Sequence, residues 1–278
     1  MLTASLVVFK HTLSDIRPVV DGCLAAECCR KLYIVDNGND PELAEDIKNL
    51  DCSKLEYIPS RNVGFGAGHN IAMRKMLDSS SLFHAILNPD VLFQPGTFEM
   101  ILQFMQKNPQ TGLVMPKTLY PDGSMQYNCK FIPSPMDLIA KRFFPEILKK
   151  NRMKKFMMQE FDHEKILHVP YLCGCFMVFS KNALQCAGLF DERFFMYPED
   201  IDITRRIFSA GFHTIYFPHA EIIHAHGQAS YKKIKMLFIH ISNMCRYFNK
   251  WGWFSDRERR EINKKIKQLT PTARMQKQ

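Results

Sequence analysis

The first 93 residues alternate between short runs rich in β-branched and aromatic residues and longer stretches with helical spacing. No other feature of the sequence constrains the fold as much. "ASLVVFK" and "KLYIVDNG" read as buried strands, and "DIRPVVDGCLAA" between them is spaced as a helix with Pro18 near its start. The pattern then repeats, with "PELAEDIKNL" predicting a helix, "KLEYIP" a strand, "AGHNIAMRKMLD" a helix and "HAILNPDVLF" a fourth strand. Parallel strands need a crossover of a dozen or so residues, so this order predicts a doubly wound α/β sheet with helices on its faces. Such sheets bind ligands beyond the carboxyl ends of their strands. Asp36, Arg61 and Asp90 fall at those ends, which predicts three charged groups on one rim.

At 278 residues and 46% hydrophobic, the chain can bury one catalytic-size core and carry a tail. Its nine cysteines show no paired metal spacing, and no basic leader or cleavage pattern opens the sequence, which predicts a reducing, cytoplasmic setting. No apolar run approaches the ~18 residues a membrane span requires. The net charge of +9 is uneven: residues 231–278 hold 13 Lys and Arg against three acids, so residues 1–230 are nearly neutral. A second basic cluster, "KRFFPEILKKNRMKK" at residues 141–155, interleaves seven basic residues with Phe143, Phe144, Ile147, Leu148 and Met153. Both segments are suited to an anionic partner. Nucleic acid would account for the pI of 9.1 but for none of the acids at the strand ends, so it is not the expected partner.

Three stretches carry candidate chemistry. "RNVGFGAGHN" (residues 61–70) spaces its glycines G-x-G-x-G, which matches neither the dinucleotide fingerprint nor a P-loop. Two readings remain: a backbone that approaches an anion at a helix start, or a tight strand-to-helix turn. In "LNPDV" (residues 87–91), Asp90 ends a buried strand and needs a partner, which a hard divalent cation would supply; an ordinary turn is the alternative. In "FDERFFMYPEDIDITRRIFSAGF" (residues 190–212), Glu199 and Asp200 open a helix whose apolar face includes Ile203, Ile207 and Phe208. They are either capping residues or, if Tyr197 and Pro198 aim them into the crevice, a general base. Asp202 with Arg205 or Arg206 predicts a surface ion pair.

The succession "VDNG", "RNVGFGAGHN", "LNPD", "LCGCFMVFSKNALQCAGLFDERFFMYPEDIDITRRI" and "IIHAHGQAS" resembles the bacterial rhamnosyltransferase-like branch of the inverting glycosyltransferase family 2 over about residues 3 to 230. The resemblance implies a GT-A, Rossmann-like fold with a mostly parallel central sheet flanked by helices. The GT-A domain would occupy residues 1–230, its nucleotide-sugar half about 1–120 and its acceptor half about 121–230. Residues 231–278 would form a basic, amphipathic helical tail. The resemblance also implies roles. Phe9 lines the base pocket and Asp36 binds the pyrimidine or ribose. Arg61, Gly64 and Gly66 lie against the nucleotide and its diphosphate. Asn88 and Asp90 stand at the family's D-x-D metal motif, with Asp90 as the retained acid. Cys173, Gly174, Cys175 and Glu199 shape the sugar and acceptor pocket, Asp200 is the catalytic base, and His224 meets metal or diphosphate, with His226 as its rival.

The implied cofactor is Mg²⁺ or Mn²⁺. The implied reaction moves a sugar onto a glycan or a polyprenyl-diphosphate-linked saccharide in bacterial surface polysaccharide synthesis, with dTDP-L-rhamnose as the donor or, in the alternative, a UDP-hexose. Asn88 and Pro89 depart from the motif, since asparagine offers only a neutral oxygen, and this keeps a non-enzymatic nucleotide-sugar-binding homologue as an alternative. In the tail, Ile234, Leu237, Phe238, Ile241, Met244, Cys245 and Phe248 form one helical stripe. It predicts peripheral contact with the inner face of the cytoplasmic membrane, or docking on the catalytic domain, or pairing in a homodimer.

Overall fold

The structure, a computed structural model, describes residues 1–225 and 234–270. His226, the rest of "HGQAS" and residues beyond 270 lie outside the described residues. The chain runs β1 (Leu2–Val8), α1 (Leu13–Ala25), β2 (Cys29–Asp36), α2 (Pro41–Asn49), β3 (Leu55–Pro59), α3 (Phe65–Leu77), β4 (Phe83–Leu87) and β5 (Val91–Phe93). It continues through α4 (Thr97–Lys107), β6 (Thr111–Leu119), β7 (Cys129–Lys130), α5 (Pro135–Phe143), α6 (Glu146–Phe156), β8 (Leu167–His168), β9 (Tyr171–Leu172), β10 (Phe176–Ser180) and α7 (Lys181–Ala187). It ends with α8 (Glu199–Ser209), β11 (His213–His224), α9 (Ile234–Trp251) and α10 (Arg257–Leu269).

The main sheet has the order β3-β2-β1-β4-β10-β6-β11-β5, with β8 also paired to β11. The four strands from β3 to β4 are parallel, as the strand–helix alternation predicts. β10 then enters antiparallel between β4 and β6, β11 runs parallel to β6, and β5 closes the edge antiparallel to β11. The result is an α/β sheet that is parallel in its first half and mixed in its second. β4, β6 and β11 therefore end on the same edge, where β10 begins. A small second sheet pairs β7 with β9.

The fourth strand predicted from sequence is two strands in the structure. β4 pairs with β1 and β10, whereas β5 pairs with β11 on the far side of the sheet. The break falls at Asn88, Pro89 and Asp90. Pro89 lacks the N–H that a central strand must donate, so the run cannot continue there.

Side-chain alternation divides the core between the two faces of the sheet. Leu2, Ala4, Leu6 and Val8 of β1 pack with Ile16 and Val19 of α1 and Ile101 of α4. The opposite face of the same strands carries a polar seam. The Thr3 hydroxyl lies 2.8 Å from Nδ1 of His84, and the Ser5 hydroxyl bridges Nε2 of His84 (2.9 Å) and Nδ1 of His69 (2.7 Å). All four residues are buried. The second core gathers Met73 and Met76 of α3, Ile203 and Ile207 of α8, Met244, Tyr247 and Phe248 of α9, and Ile262 and Ile266 of α10. Met244 and Phe248 of the predicted stripe thus dock on the sheet-bearing core, while Phe238 and Ile241 stay exposed.

The expected surface pair at Asp202 is instead buried. Asp202 is 0% exposed and accepts from Arg206 Nε, Lys250 Nζ and Trp251 Nε1 at 2.8, 2.6 and 2.8 Å. Arg205, 1% exposed, forks onto both oxygens of Asp256 at 2.7 Å, also reaches Glu258, and lies 4.0 Å from the centre of the Trp251 ring. Spacing along α8 located these charges but gave no sign of the helices that cover them.

Burial holds His84 neutral, its imidazole pushed down to about 3 from an ordinary 6.5, and it lowers His69 as well. The unfolded chain binds those protons first, so stability is intact above 6.5 and is lost as the pH falls toward the folded value. Urea unfolding across this window is expected to show a falling unfolding free energy, while NMR shows both imidazoles still neutral.

Candidate active site

The candidate site lies along the edge where β4, β6 and β11 end. At the end of β4, the Asn88 N–H donates to the Cys175 carbonyl at 2.9 Å. Asp90 follows two residues later, and its carbonyl accepts from Ala225 N at 3.1 Å. This tie holds Asp90 against His224, the last residue of β11, whose Nε2 is 3.3 Å from Asp90 Oδ1. The Asn88 amide is 3.3 Å from the same nitrogen. On the other side of the ring, Nδ1 of His224 lies 3.1 Å from Gln126 Oε1, and Gln126 Nε2 returns a 2.6 Å hydrogen bond to the His224 carbonyl. Gln126 thereby fixes the ring and leaves Nε2 to face Asp90. Burial opposes a charge on His224, but hydrogen bonds to Asp90 and Cys175 outweigh it and push the imidazole up to about 10. A proton on this nitrogen and a metal ion beside Asp90 are alternatives, since only neutral imidazole can ligate.

These residues fit a divalent cation that substrate helps to hold. Among the described residues no three His, Cys, Asp or Glu side chains gather at one point. The protein would supply Asp90 and His224, with water and diphosphate oxygens completing the shell of a hard cation.

Asp200, in the first turn of α8, forms the second cluster. It is 9% exposed and lies beneath the "CGC" turn of residues 173–175. Its Oδ2 accepts from Gly174 N at 3.2 Å and Tyr171 hydroxyl at 3.4 Å, and its Oδ1 from Ile201 N at 2.8 Å. Lys130 Nζ sits 2.9 Å from Cys173 Sγ. Burial raises the Asp200 carboxyl to about 6, against the pull of the Lys130 charge and these donors. Glu199 is 4% exposed, and its Oε2 has no hydrogen-bond partner. Burial and then the charge on Asp200 raise Glu199 well above the usual carboxylate range. Burial thus biases both adjacent acids toward their protonated forms, and the charge on Asp200 adds to the bias on Glu199. Both acids are buried, and Asp200 also accepts a first-turn N–H of α8, as a capping residue does.

The residues expected on the nucleotide side are less uniform. Phe9 is 45% exposed on the rim just after β1, and Arg61 is exposed before α3. Asp36 is buried, and its oxygens accept from Gly38 N, Asp40 N and Tyr57 hydroxyl at 2.7 to 2.8 Å. With these three donors it orders the loop after β2. Gly64 and Gly66 also differ from expectation. A Cβ on Gly64 would lie 2.2 Å from the Phe195 carbonyl oxygen, and one on Gly66 would lie 2.9 Å from Phe190. Asn70 of α3 stitches the same seam with hydrogen bonds to Phe190 N and O. These glycines therefore let α3 pack against the loop leading to α8, and the tight-turn reading is the one the structure favours.

Comparison with known proteins bears on this geometry. The profile of the family described as "Glycosyltransferase like family 2" matches residues 5–247. The chain belongs to glycosyltransferase family 2. A Mycobacterium tuberculosis protein named N-acetylglucosaminyl-diphospho-decaprenol L-rhamnosyltransferase is 32% identical over 143 residues, 50% of this chain and 45% of that protein. The match thus spans less than half of that relative's length. Rhamnosyltransferase WbbL of Escherichia coli K12 is 23% identical over 261 residues, 91% of this chain and 95% of that protein. Among solved structures, GalNAc-T7 with UDP, GalNAc and Mn²⁺ aligns with a TM-score of 0.60 at 12% identity, covering 81% of this chain and 43% of the other. Mannosyltransferase PcManGT from Pyrobaculum calidifontis, in complex with GDP-Man and Mn²⁺, aligns at 0.58 and 15% identity, covering 88% and 64%. The fold is GT-A.

Three residues of this family 2 site went unnoticed in the sequence: Gln126, Lys130 and Tyr171. All come from the stretch between β6 and β10, where short strands give no periodic signal. Only the cluster of polar residues in "SMQYNCK", inside an otherwise apolar region, could have pointed to it.

Gly64→Ala tests the seam. Gly64 has φ +94, so the added methyl meets both a strained backbone and the Phe195 carbonyl. A loss of about 1–3 kcal/mol in unfolding free energy is expected, measured by urea denaturation.

Proposed function

We propose that this chain is an inverting glycosyltransferase that moves L-rhamnose from dTDP-L-rhamnose to a hydroxyl of a lipid-linked saccharide. One observation carries the reading. A buried carboxylate at Asp200 and an Asp90–His224 pair flank the same "CGC" turn, joined by the hydrogen bond from Asn88 N to Cys175 O. A base and an anion-holding cluster at one rim are the two parts a single displacement at a sugar phosphate needs.

Asp200 takes the proton of the acceptor hydroxyl as that oxygen forms its bond to the anomeric carbon. The bond from that carbon to the diphosphate oxygen breaks on the opposite face, and the nucleoside diphosphate leaves with the electron pair. Tyr171 hydroxyl and Gly174 N–H fix the carboxylate for this attack. Lys130 offsets the negative charge around it, and protonated Glu199 adds none. A divalent cation, Mg²⁺ or Mn²⁺, held by Asp90 and His224 would supply positive charge to the departing diphosphate. Gln126 orients His224 for that contact.

The rhamnose assignment is supported by the names of the two bacterial relatives, both rhamnosyltransferases, and the lipid-linked acceptor by that of the mycobacterial protein. The retained Asp200 and its tuned surroundings favour an enzyme over a non-catalytic binding protein.

Asp200→Asn is expected to lower turnover by roughly 10²–10⁴-fold while calorimetry shows unchanged nucleotide binding. Glu199→Gln, which copies the protonated acid, is expected to stay close to wild-type turnover. In the wild type the rate should rise with pH through about 6 as Asp200 ionises. Near-normal turnover in Asp200→Asn would remove it as the base.

Calorimetric titration with dTDP and UDP, with Mn²⁺, Mg²⁺ or EDTA, is expected to show metal-enhanced binding that favours dTDP. Preference for UDP would move the donor to a UDP-hexose. Binding of neither by folded protein would overturn the transferase reading.

A further inference from the structure

The basic cluster at residues 141–155 has no part in the site described above, and the structure gives it a definite form. α5 and α6 make a helical hairpin turned at Phe144 and Pro145. Its base is anchored: Leu138 and Met153 pack against the second core, Phe156 is buried within it, and Arg152 Nε pairs with Asp137 at 2.8 Å across the two helices. The segment leading into it is clamped by α10, where Asn263 exchanges two 3.0 Å hydrogen bonds with the backbone of Ile132. The tip is the opposite in character. Ile147 is 88% exposed, the most exposed of the large apolar side chains described, Phe144 at the turn is exposed beside it, and Ile139 and Met136 are exposed farther back along α5. Lys150, Lys154 and Lys155 are exposed on the same hairpin and make no ion pair among the described residues.

We infer that the α5–α6 hairpin docks on an anionic lipid surface, with its apolar tip in the acyl boundary and its lysines against the headgroups. An aliphatic tip beside unpaired cations suits a surface that is apolar below and anionic above. A second copy of the chain suits it less well, because a two-fold contact between hairpins would face lysine with lysine. The chain reaches α5 five residues after Lys130, which flanks Asp200 through Cys173 and Tyr171, so the docked element is continuous with the catalytic rim. No helix among the described residues is long and apolar enough to cross a membrane, and a docked hairpin gives such a chain access to a lipid-borne acceptor. The inference deepens the acceptor half of the function proposed above and rests on that reading for the acceptor alone.

The test is flotation of the full chain with vesicles of phosphatidylcholine alone or of phosphatidylcholine and phosphatidylglycerol in equal amounts. It is run beside dTDP calorimetry on the same samples. Wild type is expected to float only with the anionic vesicles, less so in high salt. Ile147→Glu, and the triple change of Lys150, Lys154 and Lys155 to Glu, are each expected to weaken binding about tenfold or more while nucleotide binding is unchanged. Wild type that binds dTDP but floats with neither vesicle would overturn the docking and leave the transferase reading intact. Flotation without nucleotide binding would do the reverse. If both hairpin variants float as wild type does, and Phe238→Glu on α9 abolishes flotation, the hairpin assignment is wrong and the lipid contact belongs to the C-terminal helix.

Discussion

Where β4 ends, the Asn88 N–H reaches across to the Cys175 carbonyl, and the rest of the site is built around that contact. β4 sits between a parallel and an antiparallel neighbour, so both its edges are satisfied until Pro89 makes further pairing impossible. The chain leaves the sheet, exposes one carboxylate, and re-enters as β5 beside β11. That detour brings Asp90 to His224, and the antiparallel entry of β10 brings the "CGC" turn to the same edge. A sheet parallel throughout would have placed no strand start at that edge.

A second constraint acts on the helix that carries Asp200. Its charged positions, Asp202 and Arg205, are buried and meet partners from α9, α10 and the segment between them. Burying such charges stabilises little in net terms, but removing one partner leaves the other uncompensated. The pairs therefore act mainly to admit one pose of α8. Asp200 inherits that pose, as does the Glu199 beside it.

Much of this was legible in the sequence. The first three strands and helices followed from periodicity, because each buries a face whose spacing the chain must repeat. Asp90, Asp200 and His224 could be picked out by motif, and the structure places Asp90 with His224 and Asp200 beneath the nearby turn. The failures share a cause: they concern what lies opposite a residue, which spacing along one element does not encode. Asp202 does pair with Arg206 as the spacing suggested, but the charges looked exposed because Lys250, Trp251, Asp256 and Glu258, which cover Asp202 and Arg205, are distant in sequence. The glycines of residues 64–68 looked like an anion loop because a backbone can approach a carbonyl as closely as a phosphate. Asp36 looked available because its three donors come from a loop and from β3. Lys130 and Tyr171 lie on strands too short to carry a period, and Gln126 lies in the irregular segment before β7.

The seam between α8 and the C-terminal helices also sets an order in time. A ribosome releases residues in sequence, so a growing chain holds Asp90, Asp200 and His224 well before it holds Lys250, Trp251, Asp256 and Glu258. Until that last stretch emerges, α8 has its apolar face and the Asp202–Arg206 pair, but Arg205 lacks its carboxylate partners and Asp202 lacks Lys250 and Trp251. Chains cut short before it carry every chemical group of the site yet display unpaired charge where a finished core should be.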